Sequence, residues 1–152
     1  CDHHLPPEQP VEGDEEFDTS CILARGRFGP TYRKSCSTGR TYAVKQCNLT
    51  SVHAHGITTA MLQNECAKLE KITHPNIARY FLSFCSQDDQ HFNIVTELVE
   101  SDMTMARRAV STPPPTEAEV VSWTRQMASA LCFMHRENVS HRFLKPENIL
   151  LI

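Results

Sequence analysis

Gly26 and Gly29 stand between two runs that read as strands, Phe17 to Ala24 and Thr31 to Ser35. A glycine turn in that setting lets backbone N–H groups approach a phosphate closely, because no side chain intervenes. A dinucleotide-binding loop of similar composition would lead into a helix, so the strand on both sides argues for a phosphate-covering hairpin. The next predicted strand, Thr41 to Cys47, carries Lys45. Its neighbours Ala43 and Val44 read as buried, and a buried ammonium without a partner is very costly, so Lys45 is expected to meet a carboxylate. Glu65, 65 − 45 = 20 residues further on, is the candidate. Two groups resemble metal ligands by type alone, His3-His4 and the H-x-H pair His53 and His55, but no third ligand accompanies either. The seven Cys are odd in number and form no C-x-x-C pair, which fits reduced thiols better than a disulfide framework or a zinc site.

The elements that must position these residues follow from pattern. Residues 1–16 hold Pro6, Pro7 and Pro10, then Glu12, Asp14, Glu15 and Glu16, and read as a flexible acidic lead-in. Ser37-Thr38-Gly39-Arg40 reads as a turn, and Asn48 to Gly56 as a polar loop. Leu62, Cys66, Leu69 and Ile72 recur at helical spacing and predict a helix from Thr58 to Thr73, stopped by Pro75. Ile77 to Phe84 and Phe92 to Val99 read as strands around the polar turn Ser86 to Gln90, and Ser101 to Val110 stays ambiguous. After the Pro-rich stretch Ser111 to Pro115, Thr116 and Glu119 form a capping box. The helix it opens presents Val120, Thr124, Met127, Leu131 and Met134 as a core stripe, with Trp123 also packing, and Asn138 suits the left-handed turn that ends it.

Five motifs in one order carry a resemblance. They are Leu23-Ala24-Arg25-Gly26-Arg27-Phe28-Gly29-Pro30-Thr31-Tyr32, then Tyr42-Ala43-Val44-Lys45, then Glu65 nine residues before His74-Pro75-Asn76-Ile77. Asn93-Ile94-Val95-Thr96-Glu97-Leu98 and His141-Arg142-Phe143-Leu144-Lys145-Pro146-Glu147-Asn148 complete the set. Together they resemble a protein kinase domain of the serine/threonine type over residues 17–152. The resemblance implies an α+β fold: residues 17–110 as an antiparallel sheet lobe with its C-helix and hinge, and residues 111–152 as the truncated start of a helical lobe. It also implies that the chain is a fragment, beginning at Cys1 without Met and stopping at Ile152 ahead of a D-F-G motif.

By the same resemblance Leu23, Ala24, Gly26, Gly29, Thr31, Ala43, Lys45, Glu65, Thr96, Glu97, Val99 and Leu150 bind ATP. Ala43 and Leu150 sandwich the adenine, Thr96 leaves room behind it, and Asn148 holds Mg2+. Leu69, Tyr80 and His141 fit positions that stack between lobes. Ala24 departs from the family's first glycine, and Thr31 from its usual Val. Lys145 keeps the serine/threonine-type identity. The family's catalytic loop reads H-R-D-L-K-x-x-N, and its Asp, which accepts the substrate's hydroxyl proton, is Phe143 here. A phenyl ring cannot accept a proton. The expectation is therefore a pseudokinase that binds nucleotide and acts as a scaffold or allosteric regulator with an unidentified protein partner. The alternatives are a weakly active serine/threonine kinase and an interaction module without nucleotide. A net charge of −3 gives no electrostatic case for nucleic acid or anionic membrane, and the expected location is the cytoplasm.

Overall fold

Short runs rich in β-branched and aromatic residues form one antiparallel sheet in the computed structural model, which describes residues 22–35, 39–99 and 113–151. The strands are β1 (Ile22–Gly26), β2 (Gly29–Ser35), β3 (Thr41–Asn48), β4 (Tyr80–Cys85) and β5 (His91–Glu97), ordered β1-β2-β3-β5-β4. Among the described residues three α-helices accompany them: α1 (Leu49–Ala54), α2 (Thr59–Leu69) and α3 (Glu117–Arg136). The α+β arrangement expected from the resemblance is thus present, an antiparallel five-stranded sheet followed by helices. The expected strand residues 17–21, the turn residues 36–38 and the ambiguous run 101–110 lie outside the described residues.

Two compact units make up the chain. The first combines the described residues up to Glu70 with Tyr80–Leu98; the second combines Lys71–Arg79 with the described residues from Val99 onward. In the first unit, successive strand residues point to opposite faces, so the sheet has two distinct sides. One side buries Tyr42, Val44 and Val95, with Phe81, Leu82 and Phe84 packed against them. The other carries Cys47 and Phe92, joined by Leu49 and Val52 of α1 and Cys66 of α2. Full burial of an aliphatic or aromatic side chain contributes about 1.5–3 kcal/mol, so this second cluster is what holds both helices to the sheet.

Helix α1 corrects the loop expected over Asn48 to Gly56. Asn48 is its N-cap, the Asn48 Oδ1 accepting from the Ser51 N–H at 2.9 Å, while Leu49 and Val52 turn inward and Gly56 at φ 74° follows the helix. Helix α2 is shorter than the predicted Thr58 to Thr73. Thr58 caps it, and the chain leaves the helix at Glu70, so that Ile72 is buried in the second unit rather than on the α2 face.

In the second unit α3 has the expected capping box: the Glu119 N–H donates to Thr116 Oγ1 at 3.3 Å and the Thr116 N–H donates to Glu119 Oε2 at 2.7 Å. That backbone hydrogen bond holds the Glu119 carboxyl below its ordinary pKa. The helix ends in a Schellman turn, with Asn138 at φ 58° and the Val139 N–H donating to the Met134 carbonyl at 2.9 Å. The predicted core stripe needs correction. Val120 and Thr124 are exposed, and burial concentrates on Ala130 and Met134. The segment 71–79 explains the C-terminal bias, because it packs there through His74 and Asn76. His74 Nδ1 accepts from the Asn76 N–H at 3.1 Å, which leaves Nε2 protonated to donate to Ser129 Oγ at 3.1 Å. Asn76 Nδ2 donates to Gln126 Oε1 at 3.0 Å, and the His74 ring lies 5.3 Å from that of Phe133.

Burial sorts the described thiols. It raises the pKa of Cys47, against a lowering by Lys45, and it raises that of Cys66 in the same way. A buried thiol with scarce thiolate reacts slowly. Iodoacetamide followed by peptide mass mapping is expected to label Cys132, which is exposed, well ahead of Cys47 and Cys66, with those two reacting only after denaturation. Equal labelling of all three in the native protein would contradict the buried cluster.

Candidate functional site

Residues paired across neighbouring strands lie on the same face of a sheet, and the registers gather the candidate residues. Ala24 pairs with Thr31, Thr31 with Lys45, and Lys45 with Ile94. Ala43 pairs with Thr96, and Thr96 with Tyr80. Ile94 and Tyr80 pack against the cluster under α1 and α2, which identifies the face. Ala24, Thr31, Ala43, Lys45 and Thr96 therefore occupy the helix-bearing side of the sheet. Leu23 is exposed on β1, Glu97 ends β5, and Val99 follows it.

The glycine hairpin is a two-residue connection, Arg27-Phe28, between the paired Gly26 and Gly29. Gly29 has φ 148°, and a Cβ built on it would sit 2.1 Å from the Gln46 carbonyl oxygen. Its lack of a side chain is thus required by the approach of β2 to β3. Gly26 is less confined, with a Cβ 3.2 Å from the Gly29 carbonyl oxygen.

Lys45 lies on β3 and Glu65 on α2, as expected, but the pairing does not form. Lys45 is exposed although it shares the helix-bearing face with the buried Cys47, while Val44 is buried on the opposite face. No desolvated ammonium therefore demands a carboxylate. Glu65 is also exposed, and its Oε1 accepts from Lys68 Nζ at 2.6 Å on the same helix. Among the described residues no ion pair joins Lys45 to Glu65. The neighbouring residue does anchor α2: Cys66 is buried beside Tyr80 and Ser83, which are linked by the Tyr80 hydroxyl donating to Ser83 Oγ at 3.0 Å. Burial raises the Tyr80 pKa, against a lowering by the hydrogen bond to Ser83. Sequence reading missed this polar cluster. The irregularity between Tyr80 and Leu82 puts Tyr80 and Ser83, three residues apart, on one face, which simple alternation does not foretell.

The second unit contains the loop that holds Phe143. Arg142 sits at φ 63°, a conformation that costs a non-glycine residue on the order of 1–3 kcal/mol and recurs at functional sites. The Phe143 N–H donates to the His141 carbonyl at 2.8 Å, and the Phe143 carbonyl accepts from Asn148 Nδ2 at 2.7 Å. Pro146–Asn148 form a single 3-10 turn, closed by the Asn148 N–H donating to the Lys145 carbonyl at 2.9 Å. The backbone of Phe143 is thus pinned from both sides while its ring is 71% exposed. Leu144 and Leu150 are exposed as well, and Lys145 points no less outward. His141 Nδ1 is buried without a hydrogen-bond partner. Asn148 has committed its amide nitrogen to Phe143, so its oxygen is the atom left for a ligand. No group of three or more His, Cys, Asp or Glu among the described residues could hold a metal, and no described helix is long and apolar enough to cross a membrane.

Comparison with known proteins agrees with this geometry. The family model described as "Protein kinase domain" matches residues 17–152. The chain is 32% identical over 138 residues to a calcium/calmodulin-dependent protein kinase type 1 of Caenorhabditis briggsae, covering 90% of this chain and 37% of that protein. It is 30% identical over 136 residues to a putative CBL-interacting protein kinase 13 of Oryza sativa subsp. japonica, covering 89% and 26%. It is 26% identical over 151 residues to a serine/threonine-protein kinase PLK4 of Drosophila willistoni, covering 97% and 19%. The chain therefore spans well under half the length of these relatives.

Proposed function

Because the chain belongs to the protein kinase domain family, we propose that it binds adenine nucleotide on the Lys45 face of its sheet, transfers phosphate poorly or not at all, and works as a nucleotide-dependent scaffold or allosteric regulator. One observation supports the binding half most: the strand registers bring Ala24, Thr31, Ala43, Lys45 and Thr96 onto one face, with the ammonium of Lys45 exposed beside the glycine hairpin. An exposed ammonium on a rigid strand is ready to meet a phosphate without first breaking a buried ion pair. Small Ala43 and Thr96 offer a flat surface to an aromatic base. Phe143 supports the other half, since the position where the family keeps its proton acceptor presents only a hydrocarbon ring.

The residues fit the nucleotide better than they fit a resident metal. Mg2+ is held by one or two carboxylates together with substrate phosphates, and Asn148 offers a single neutral oxygen. A magnesium ion would arrive with the nucleotide, where its role is to neutralise phosphate charge. The free thiols at Cys47, Cys66, Cys85 and Cys132 support a reducing compartment, the cytoplasm.

ATP should raise the melting temperature of the protein through ordinary linkage, by about 2.7 kcal/mol of added stability at a hundredfold excess over Kd. Lys45→Met should abolish that shift while leaving the melting temperature without ATP nearly unchanged, since Lys45 is exposed. An identical ATP shift in Lys45→Met would remove the Lys45 face from consideration. No shift in either protein would favour an interaction module that binds no nucleotide.

A further inference from the structure

Asn48 makes two hydrogen bonds that bear on the glycine hairpin from opposite directions. Its backbone N–H donates to the Phe28 carbonyl at the hairpin tip, at 2.8 Å. Its side-chain oxygen caps α1 by accepting from the Ser51 N–H at 2.9 Å. Helix α1 is followed by His55, whose ring meets that of Phe28 edge-on, with centroids 5.5 Å apart and an interplanar angle of 81°. The His55 ring is itself oriented, its Nδ1–H donating to the Ser51 carbonyl at 2.8 Å. Phe28 packs against the cluster of Cys47, Leu49 and Val52, and the Arg27 guanidinium lies 5.7 Å from its ring centroid. The tip residue is thus held by its carbonyl and by its ring, and both holds lead back to Asn48.

We infer that Asn48 is the clasp of the glycine hairpin, a positioning residue that fixes the tip through Phe28 and so prepares the hairpin backbone to receive phosphate. The inference rests on the reading of this face as a nucleotide site. The physical need is clear. Gly26 and Gly29 flank the tip, and glycines loosen a turn by widening the conformations open to it. A loop that must be ordered on binding loses affinity to that ordering, and a loop already fixed does not. Residues 27 and 28 carry no covalent restraint against swinging, so the clasp supplies the order.

The backbone of Asn48 allows a clean test. Its φ of −68° is the value proline imposes, and the preceding Cys47 is in the extended conformation that proline favours before it. Asn48→Pro therefore removes the donor to Phe28 and the cap at a φ that proline accepts, its Cδ displacing the Phe28 carbonyl from the former amide hydrogen, while the Leu49 N–H keeps its bond to the Gln90 carbonyl at 2.9 Å. Asn48→Asp keeps both functions, and Asn48→Ala removes only the cap. Hydrogen exchange of the hairpin amides and ATP binding by titration calorimetry are measured on the full chain for all four proteins, with Phe28→Ala as a fifth.

Asn48→Pro is expected to speed exchange at residues 26–29 and to weaken ATP binding, each by about five- to tenfold, the equivalent of one lost hydrogen bond. Phe28→Ala should move both readouts the same way, and Asn48→Asp should match the unmodified protein. Unchanged exchange at the hairpin in Asn48→Pro would overturn the clasp, whatever happens to nucleotide. Faster exchange with unchanged or tighter ATP binding would overturn the preparation of the phosphate site. If the unmodified protein binds no ATP, the nucleotide reading fails, and the exchange data alone then decide whether Asn48 holds the tip.

Discussion

Gly29→Ala is expected to destabilise the protein by about 3–5 kcal/mol, combining the cost of a left-handed backbone for alanine with that of a hard clash. The added methyl would lie 2.1 Å from the Gln46 carbonyl oxygen, a backbone atom of β3 that no rotamer change can move away. The backbone at φ 148° adds strain of its own. Relief would require β2 to lift from β3, and the register from Thr31↔Lys45 to Ser35↔Thr41 would be disturbed with it. For a chain of this size the melting temperature should fall by roughly 6–20 °C. Gly26→Ala provides the contrast. Its methyl would meet the Gly29 carbonyl at 3.2 Å, a contact that small adjustments can absorb, so a much smaller fall is expected. Equal melting temperatures for the two variants would show that the hairpin does not approach β3 as described. The result also separates two roles: Gly29 is demanded by the sheet before any phosphate is present.

The fold was legible wherever a local signal acted alone. The Thr116–Glu119 box and the left-handed Asn138 bracket α3 because both depend on residues a few positions apart. The strands were readable because their apolar runs are short and bounded by turns. Helix α1 was missed because only Leu49 and Val52 are apolar in an otherwise polar run, too few to show a period. Its signal was the cap, Asn48 followed by an inward i, i+3 pair and a terminal glycine. The stripe on α3 was right in period and wrong in extent, since what buries a helix face is the segment 71–79, placed there by His74 and Asn76.

The site was legible as a set of residue types and less so as geometry. Strand pairing puts Ala43, Lys45 and Thr96 on one face, which a register inferred from alternation already implies. The burial of Lys45 was misjudged from its neighbours: Val44 is buried on the opposite face, and on its own face Lys45 is left exposed while Cys47, two residues on, is buried. With no desolvation cost to relieve, the electrostatic argument for pairing with Glu65 loses its force. A short helix pair with Lys68 then suffices for the carboxylate, though exposed pairs of this spacing contribute only about 0.2–0.5 kcal/mol. The sequence pattern offers Asn48 only as a helix cap; its bond to the hairpin tip depends on two elements meeting at the end of β3.

Phosphate incorporation from labelled ATP is expected to stay at background for the unmodified full-length protein and to rise on Phe143→Asp by a factor on the order of 10²–10⁴, the usual contribution of a positioned general base. The substitution is clean in structural terms. The hydrogen bonds that shape the loop use the Phe143 N–H and carbonyl, with His141 and Asn148 as partners, and none uses the ring. The ring is 71% exposed, so its removal leaves no cavity and the new carboxylate is not forced into an apolar site. Its proton-accepting oxygen would project from a backbone already held on both sides. The loss in the unmodified chain can exceed the bare effect of a missing base, because a hydrocarbon ring also displaces the water and hydroxyl that would approach there. ATP binding should be the same before and after the change, since the hydrogen bonds that shape the loop do not use the ring. Turnover by the unmodified protein at about 1–100 s⁻¹, the ordinary range for kinases, and its loss in Lys45→Met would sink the scaffold reading and leave an active kinase that works without this base.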